Sequence, residues 1–167
     1  MTETRFTHAT AALLIGLAMI ATVGGALLFQ HLGGYIPCKL CYEQRTPYYL
    51  GVPVMLAAFL SASFKGPSWL TRALLAFGGL LMLWGAYLGA YHAGVEWGWW
   101  AGPTDCGAAA PSVNTGGAGV LDSLDSFVPP ACDHAALRIA GISLAGWNFL
   151  IALVLAVVAF GAVARKR

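Results

Sequence analysis

The four cysteines of the chain fall into two pairs whose spacings suit different chemistry. Cys38 and Cys41 lie three positions apart in the stretch P-C-K-L-C-Y-E-Q-R, which ends at Arg45, whereas Cys106 and Cys132 are far apart in sequence. A disulfide between Cys38 and Cys41 would close a very small ring, and strained disulfides of this kind tend to be catalytic or labile. A disulfide between Cys106 and Cys132 would close a long loop and could stabilise the fold by roughly 3–4 kcal/mol. The spacings therefore favour a redox role for the first pair.

Metal and haem chemistry fit these cysteines less well. Tyr42 follows the C-x-x-C motif, where covalent haem attachment requires a histidine. A four-cysteine zinc site usually has two closely spaced pairs, and the second pair here is widely separated. A thioredoxin-like domain would need strands in a βαβ pattern, which the chain lacks. A dithiol relay is the preferred interpretation, and a zinc site remains an alternative.

The elements that must position these thiols are membrane helices. The chain is 59% hydrophobic and only 10% charged, against roughly 25% charged in soluble proteins. Its apolar residues form blocks. Each block is close in length to the ~17–25 residues that a helix needs to cross a bilayer. We predict an all-α membrane protein, a four-transmembrane-helix bundle in a single domain over residues 1–167, with helices at about 10–29, 48–64, 70–91 and 142–163. The first block is expected to be an uncleaved helix, because it exceeds the ~7–15 apolar residues of a signal peptide.

The distribution of basic residues predicts the orientation of the bundle. Arg5, the connection 65–72 and the tail at 165–167 carry most of the basic residues, whereas most acidic residues lie in the other two loops. The positive-inside rule therefore places both termini in the cytoplasm and all four cysteines in extracytoplasmic loops, at 31–47 and 92–141. That is the side on which disulfides persist. The chain has no basic stripe with interleaved aromatic residues, so a nucleic-acid partner is not expected.

Two further features of the loops carry predictions. The segment 120–128, V-L-D-S-L-D-S-F-V, has one apolar face, which predicts a short helix that lies on the membrane surface or packs on the bundle. Cys41 is expected near the N-terminus of the second membrane helix. There the helix dipole and Arg45, one turn further on, would favour its thiolate.

A relay of this kind needs an electron acceptor. The chain shows no haem-ligand pair, flavin fingerprint or second metal cluster, so a lipid-soluble quinone is the expected acceptor. Negative charge that develops on its carbonyl oxygen needs a cation or donor nearby, and Arg45 is the first candidate. His92, at the end of the third apolar block, could supply a donor or a proton.

Three stretches of the sequence are similar to a known family. F-Q-H-L-G-G-Y-I-P-C-K-L-C-Y-E-Q-R resembles the first periplasmic loop of the disulfide bond formation protein B (DsbB) family, whose hallmark is C-x-L-C followed by an arginine. The runs Y-H-A-G-V-E-W-G-W-W-A-G-P-T-D-C and S-L-A-G-W-N also look like bacterial members. The resemblance covers nearly the whole chain. It implies a thiol:quinone oxidoreductase of the bacterial inner membrane, with its cysteine loops in the periplasm.

The resemblance implies a role for each matching residue. Cys106 and Cys132 would oxidise a DsbA-like thioredoxin-fold periplasmic protein, with Cys106 forming the mixed disulfide. Cys38 would exchange with that pair, and Cys41 would face the quinone, ubiquinone or menaquinone, with Arg45 beside it. His92 falls near the quinone-side histidine of the family. The chain departs from the family at Gln44, where the best-known members have an acidic residue.

Other functions remain possible at this stage. The chain could be a different quinone-linked membrane thiol oxidoreductase, either a specialised paralogue or a relative of vitamin K epoxide reductase. The position of C-x-x-C after the first helix argues against the latter. The third possibility is a zinc-binding membrane protein.

Overall fold

The computed structural model of the protein describes residues 2–106 and 131–165, and these form a helical bundle with one small hairpin. The predicted fold class is therefore confirmed. The elements are α1 (Thr2–His31), α2 (Lys39–Glu43), α3 (Thr46–Ser63), α4 (Ser68–Glu96), β1 (Arg138–Ile139), β2 (Ile142–Ser143) and α5 (Leu144–Ala164). The segment 120–128, for which a short surface helix is predicted, lies outside the described residues.

Three of the helices are long and apolar enough to cross a membrane, namely α1 from Arg5 onwards, α4 and α5. The fourth long helix, α3, has 18 residues and contains Pro53. It packs between α1 and α4, and α4 packs in turn against α5. All four predicted helices are thus present. Helix α1 begins eight residues before its predicted start, and the other observed ends differ from the predicted ones by at most five residues.

Two of the differences in helix ends lie near the cysteines. Helix α4 continues to Glu96, so His92 belongs to the helix rather than to the loop after it. Helix α5 begins at Leu144 because residues 138–143 form an antiparallel hairpin. Ala140 and Gly141 make its turn with φ of 52° and 82°, as a two-residue hairpin with left-handed central residues requires. The side chain of Ser143 then caps α5 by accepting a hydrogen bond from the Gly146 amide at 3.1 Å.

The close contact between α4 and α5 depends on one glycine. A Cβ atom at Gly89 would lie 2.7 Å from the amide nitrogen of Phe149 and 2.9 Å from its Cα, so only glycine fits against that backbone. A Cβ at Gly85, one turn earlier, would lie 3.6 Å from the Cβ of Ala152, which is an ordinary contact. The spacing G-x-x-x-G suggests helices that approach closely, and the structure assigns the tight approach to Gly89.

This asymmetry predicts the effect of two matched substitutions. Gly89→Ala should force α4 and α5 apart, with a loss of stability on the order of 1–3 kcal/mol, as for other overpacked sites. Gly85→Ala should be close to neutral. Thermal unfolding of both variants in detergent micelles, followed by circular dichroism, measures the difference. Equal midpoints for the two variants would contradict the assignment.

Candidate active site

Cys38 and Cys41 are held together by the start of a very short helix. Cys38 is the N-cap of α2, and its Sγ accepts a hydrogen bond from the amide of Cys41 at 3.3 Å. The two sulfur atoms lie 2.6 Å apart. Sequence reasoning expected Cys41 and Arg45 on one helix, but α2 ends at Glu43 and Arg45 is already the N-cap of α3. The thiol pair therefore lies on its own turn of helix above the bundle.

The hydrogen bond between the two thiols shifts their pKa values in opposite directions. That hydrogen bond raises the pKa of the Cys38 thiol, and burial raises it further. The same hydrogen bond lowers the pKa of Cys41, as does the positive charge of Arg45, although burial opposes them. Cys41 is thus the more acidic thiol of the pair, and Cys38 is the one that holds its proton more tightly.

The second cysteine pair reaches the first pair through Cys132. A disulfide joins Cys106 to Cys132, with their Cα atoms 6.0 Å apart. The Sγ of Cys132, the Sγ of Cys38 and a ring nitrogen of His92 all lie within 4.8 Å of one another. Cys132 and Cys38 are buried, whereas Cys106 is partly exposed. The second loop therefore presents one sulfur to the first pair and the other towards solvent.

An ion pair holds the two loops together beside these sulfurs. The Nζ atom of Lys39, next to Cys38, contacts the Oδ2 atom of Asp105, next to Cys106. Both side chains are substantially exposed, so the pair contributes little to stability. Sequence reasoning missed it, since nothing in either segment indicates its partner.

His92 lies at the end of a buried chain of polar side chains. Its Nδ1 is 2.6 Å from the Nε2 of Gln44, and its Nε2 is 3.8 Å from the Sγ of Cys38. Gln44 accepts a hydrogen bond from Asn148 at 2.7 Å, and Asn148 accepts one from the hydroxyl of Tyr48 at 2.6 Å. Sequence reasoning assigned no role to Asn148 or Tyr48. A polar amide within an apolar helix is the signal that could have found Asn148.

Arg45 is buried and has a free donor. Its side chain donates from Nη1 to the Oε1 of Gln30 at 2.6 Å and lies over the ring of Tyr42, 5.2 Å from the centroid. Among the described residues, two buried side-chain atoms have no hydrogen-bond partner, the Nε of Arg45 and the Oε2 of Glu96. One is a donor and the other an acceptor. Glu96 is a residue that sequence reasoning missed.

Both of these atoms belong to side chains that line a cavity of about 730 Å³. Cys41 borders the same space, and apolar residues of α1 and α5 form much of its wall, among them Val23, Ala26, Phe29, Leu144, Trp147 and Ile151. A largely apolar pocket with a few convergent polar groups is typical of a binding site for a small molecule. This one combines a low-pKa thiol with an unpartnered guanidinium nitrogen.

One family model matches the chain. The model of the disulfide bond formation protein DsbB matches residues 8–162, which is nearly the full length. No curated protein and no solved structure matches the chain significantly.

The charge of Arg45 should control the reactivity of Cys41. The hydrogen bond with Cys38 lowers the pKa of the Cys41 thiol most, and the guanidinium lowers it further. Arg45→Met should therefore raise this pKa and slow alkylation of Cys41 at pH 7. Arg45→Lys keeps the charge and should alter the rate much less. Alkylation of the reduced protein across pH, with each cysteine quantified by mass spectrometry, gives the titration curve. An unchanged curve for Arg45→Met would show that the charge has no effect on the thiol.

Proposed function

Because the chain belongs to the family of disulfide bond formation protein DsbB, we propose that it passes electrons from a dithiol protein to a quinone through its two cysteine pairs. The family match confirms the resemblance seen in the sequence. It makes the chain a multi-pass membrane oxidoreductase of disulfide bond formation. We propose, in addition, which protein donates the electrons, which molecule accepts them and which membrane holds the chain.

The observation that carries the proposal is the position of Cys132 beside Cys38. A thiolate of the reduced partner attacks the Sγ of Cys106, and the Cys106–Cys132 bond breaks. A mixed disulfide forms at Cys106, and the electron pair leaves on Cys132. When the first pair is oxidised, that thiolate attacks the nearby Cys38, and Cys41 leaves as a thiolate. The sulfur distances favour this route, since Cys132 and Cys38 lie within 4.8 Å of each other.

The partial exposure of Cys106 favours a protein as the electron donor. A partner thiol can approach Cys106, whereas Cys132 and Cys38 are each only 3% exposed. A DsbA-like thioredoxin-fold protein of the periplasm suits this geometry. Its own second thiol would then resolve the mixed disulfide and free Cys106 to attack Cys132.

The cavity beside Cys41 fits a quinone headgroup. When bound, a quinone supplies an acceptor for two electrons and two protons. The apolar walls from α1 and α5 would hold its ring and chain, and Arg45 would donate from its free Nε to an oxygen. Cys41, the lower-pKa thiol of the pair, borders the same cavity. Ubiquinone and menaquinone both have this chemistry.

The same proposal includes the orientation in the membrane. The described cysteines all lie at one end of the bundle, and most basic residues lie at the other end or in the tail. Both termini are then cytoplasmic, the cysteine loops are periplasmic, and the membrane is the bacterial inner membrane. The chain acts as one domain over residues 1–167.

Zinc binding is a second candidate, because Cys38, His92 and Cys132 bring three ligand atoms within 4.8 Å of one another. The disulfide at Cys132 argues against it, since zinc binds thiolates. Protection of reduced Cys38 and Cys132 from alkylation by added zinc, together with no reduction of quinone, would support zinc binding over the relay.

Replacement of Cys41 tests the route to the quinone. Cys41→Ser should abolish reduction of a short-chain ubiquinone or of menadione by a reduced DsbA-like protein. In this variant Cys38 cannot pair with residue 41, so a disulfide between Cys38 and Cys132 should accumulate, and peptide mapping under non-reducing conditions would detect it. Turnover at the rate of the unmodified protein would refute the role of Cys41.

Arg45 should affect the use of quinone more than the formation of disulfides. Loss of a hydrogen bond from a charged group costs about 1.5–3 kcal/mol, so Arg45→Ala should raise the quinone concentration for half-maximal rate about tenfold or more. The Cys106–Cys132 disulfide should still form. The measurement is the rate as a function of quinone concentration, with Arg45→Lys as the control that retains the charge. Identical curves for Arg45→Ala and the unmodified protein would remove Arg45 from the quinone site.

A further inference from the structure

We propose that His92 assists sulfur exchange between the two cysteine pairs, and that Gln44, Asn148 and Tyr48 determine which of its ring nitrogens carries the proton. This inference rests on the relay proposed above, and it assigns His92 to the cysteines rather than to the quinone.

Two backbone carbonyls determine the direction of each hydrogen bond in this row of polar side chains. The carbonyl of Gly85 can only accept, so the group of Asn148 that faces it at 3.3 Å is the NH₂. The same NH₂ donates to Gln44, which must therefore offer its oxygen there. The NH₂ of Gln44 then faces the carbonyl of Leu40 at 3.3 Å, where again only a donor fits. The orientation of both amides follows from their partners.

The tautomer of His92 follows from the orientation of Gln44. Because the NH₂ of Gln44 donates to the Nδ1 of His92, that nitrogen carries no proton. The proton of the neutral ring is therefore on Nε2. Tyr48 completes the chain by donating its hydroxyl hydrogen to Asn148, so each member has a partner.

The Nε2–H group of His92 faces the site of sulfur exchange, where the ring also has a hydrogen bond to the backbone of Cys132. It lies 3.8 Å from the Sγ of Cys38, and the Sγ of Cys132 is within 4.8 Å of both atoms. Glu96, one turn further along α4, places a carboxylate oxygen 3.9 Å from the same nitrogen. Although the ring borders the cavity, both of its nitrogens are directed to protein groups. Arg45, by contrast, lines the cavity with a buried donor that has no partner among the described residues.

A donor at this position would help Cys38 to leave. When Cys106 attacks Cys132 in a Cys38–Cys132 disulfide, a Cys106–Cys132 bond forms and the Cys38–Cys132 bond breaks. The electron pair passes to the Sγ of Cys38, and no proton is transferred. The hydrogen bond with Cys41 and, next, burial raise the pKa of Cys38, and thiols of high pKa are poor leaving groups. A hydrogen bond from His92 stabilises the departing thiolate in a buried site.

A neutral residue at position 44 is part of this arrangement. A carboxylate there would accept a hydrogen bond from Nδ1–H instead of donating to Nδ1. The proton would then be on Nδ1, and the neutral ring would present a bare nitrogen to Cys38. Glutamine holds the donor towards the sulfur without adding a charge.

The test uses Gln44→Glu, which is nearly isosteric, and follows exchange without quinone or partner protein. In a Cys41→Ser background, Cys38 exchanges only with the Cys106–Cys132 disulfide. Brief partial reduction starts the exchange. Samples are then quenched with acid and alkylated, and mass spectrometry measures which cysteines are paired at each time. Gln44→Glu and His92→Phe should each slow the exchange about tenfold or more, the loss expected for a hydrogen bond to a charged group. His31→Gln, at an exposed histidine that does not line the cavity, is the matched control and should not change the rate.

A second measurement separates tautomer control from a general structural defect. The ¹⁵N chemical shifts of histidine rings in micelles distinguish protonated from bare nitrogens, and His92→Phe identifies the signals of His92. Gln44→Glu should move the proton from Nε2 to Nδ1 without a large drop in the thermal midpoint. His92→Gln, which retains an N–H donor, should restore part of the exchange lost in His92→Phe.

Three results would overturn the inference. These are a proton on Nδ1 in the unmodified protein, unchanged exchange in His92→Phe, and an effect of His92 variants that appears only in the dependence on quinone. Because the exchange assay contains no quinone, a different electron acceptor would refute the proposed function and leave this result intact.

Discussion

The arrangement of the cysteine end of the bundle depends on the need of Asn148 for partners. A polar amide in an apolar helix must bond to other protein groups, since the surrounding hydrocarbon offers none. Asn148 meets that need with Gln44 after α2, Tyr48 of α3 and the backbone of Gly85 in α4. One side chain of α5 thus links three other parts of the chain. Partial loss of such a network is costly, so it defines the separation of the helices narrowly.

The tight packing at Gly89 serves the same constraint. The backbone of Phe149 lies against Gly89, and the Nδ2 of Asn148 is only 3.1 Å from the position that a Cβ would take there. A bulkier residue would move α5 away from α4 and carry Asn148 with it. Helix packing and the polar network are therefore coupled. Through Asn148, both bear on Gln44, which is the hydrogen-bond partner of His92.

The features that depend on neighbouring residues in the sequence could be predicted from it. Long apolar blocks predicted the four helices, and the C-x-x-C spacing with Arg45 predicted a reactive thiol next to a positive charge. The end of α4 was not predictable from hydropathy, since the sequence becomes polar at His92 while the helix continues to Glu96. The proximity of Cys132 to Cys38 and the contact of Gln44 with His92 join residues far apart in the chain. No local pattern specifies which of them meet.

The burial of the two middle sulfurs isolates the relay from its surroundings. Cys106 and Cys41 are partly accessible, one towards solvent and the other towards the cavity, whereas Cys132 and Cys38 are each only 3% exposed. Low-molecular-weight thiols in solution therefore have little access to the sulfurs between the two ends. In the proposed relay, such thiols would have to enter at Cys106, where a folded protein competes for the same atom, or at Cys41 through the cavity, where a bound quinone would compete. Selectivity against small reductants is then a property of the packing and needs no dedicated recognition site.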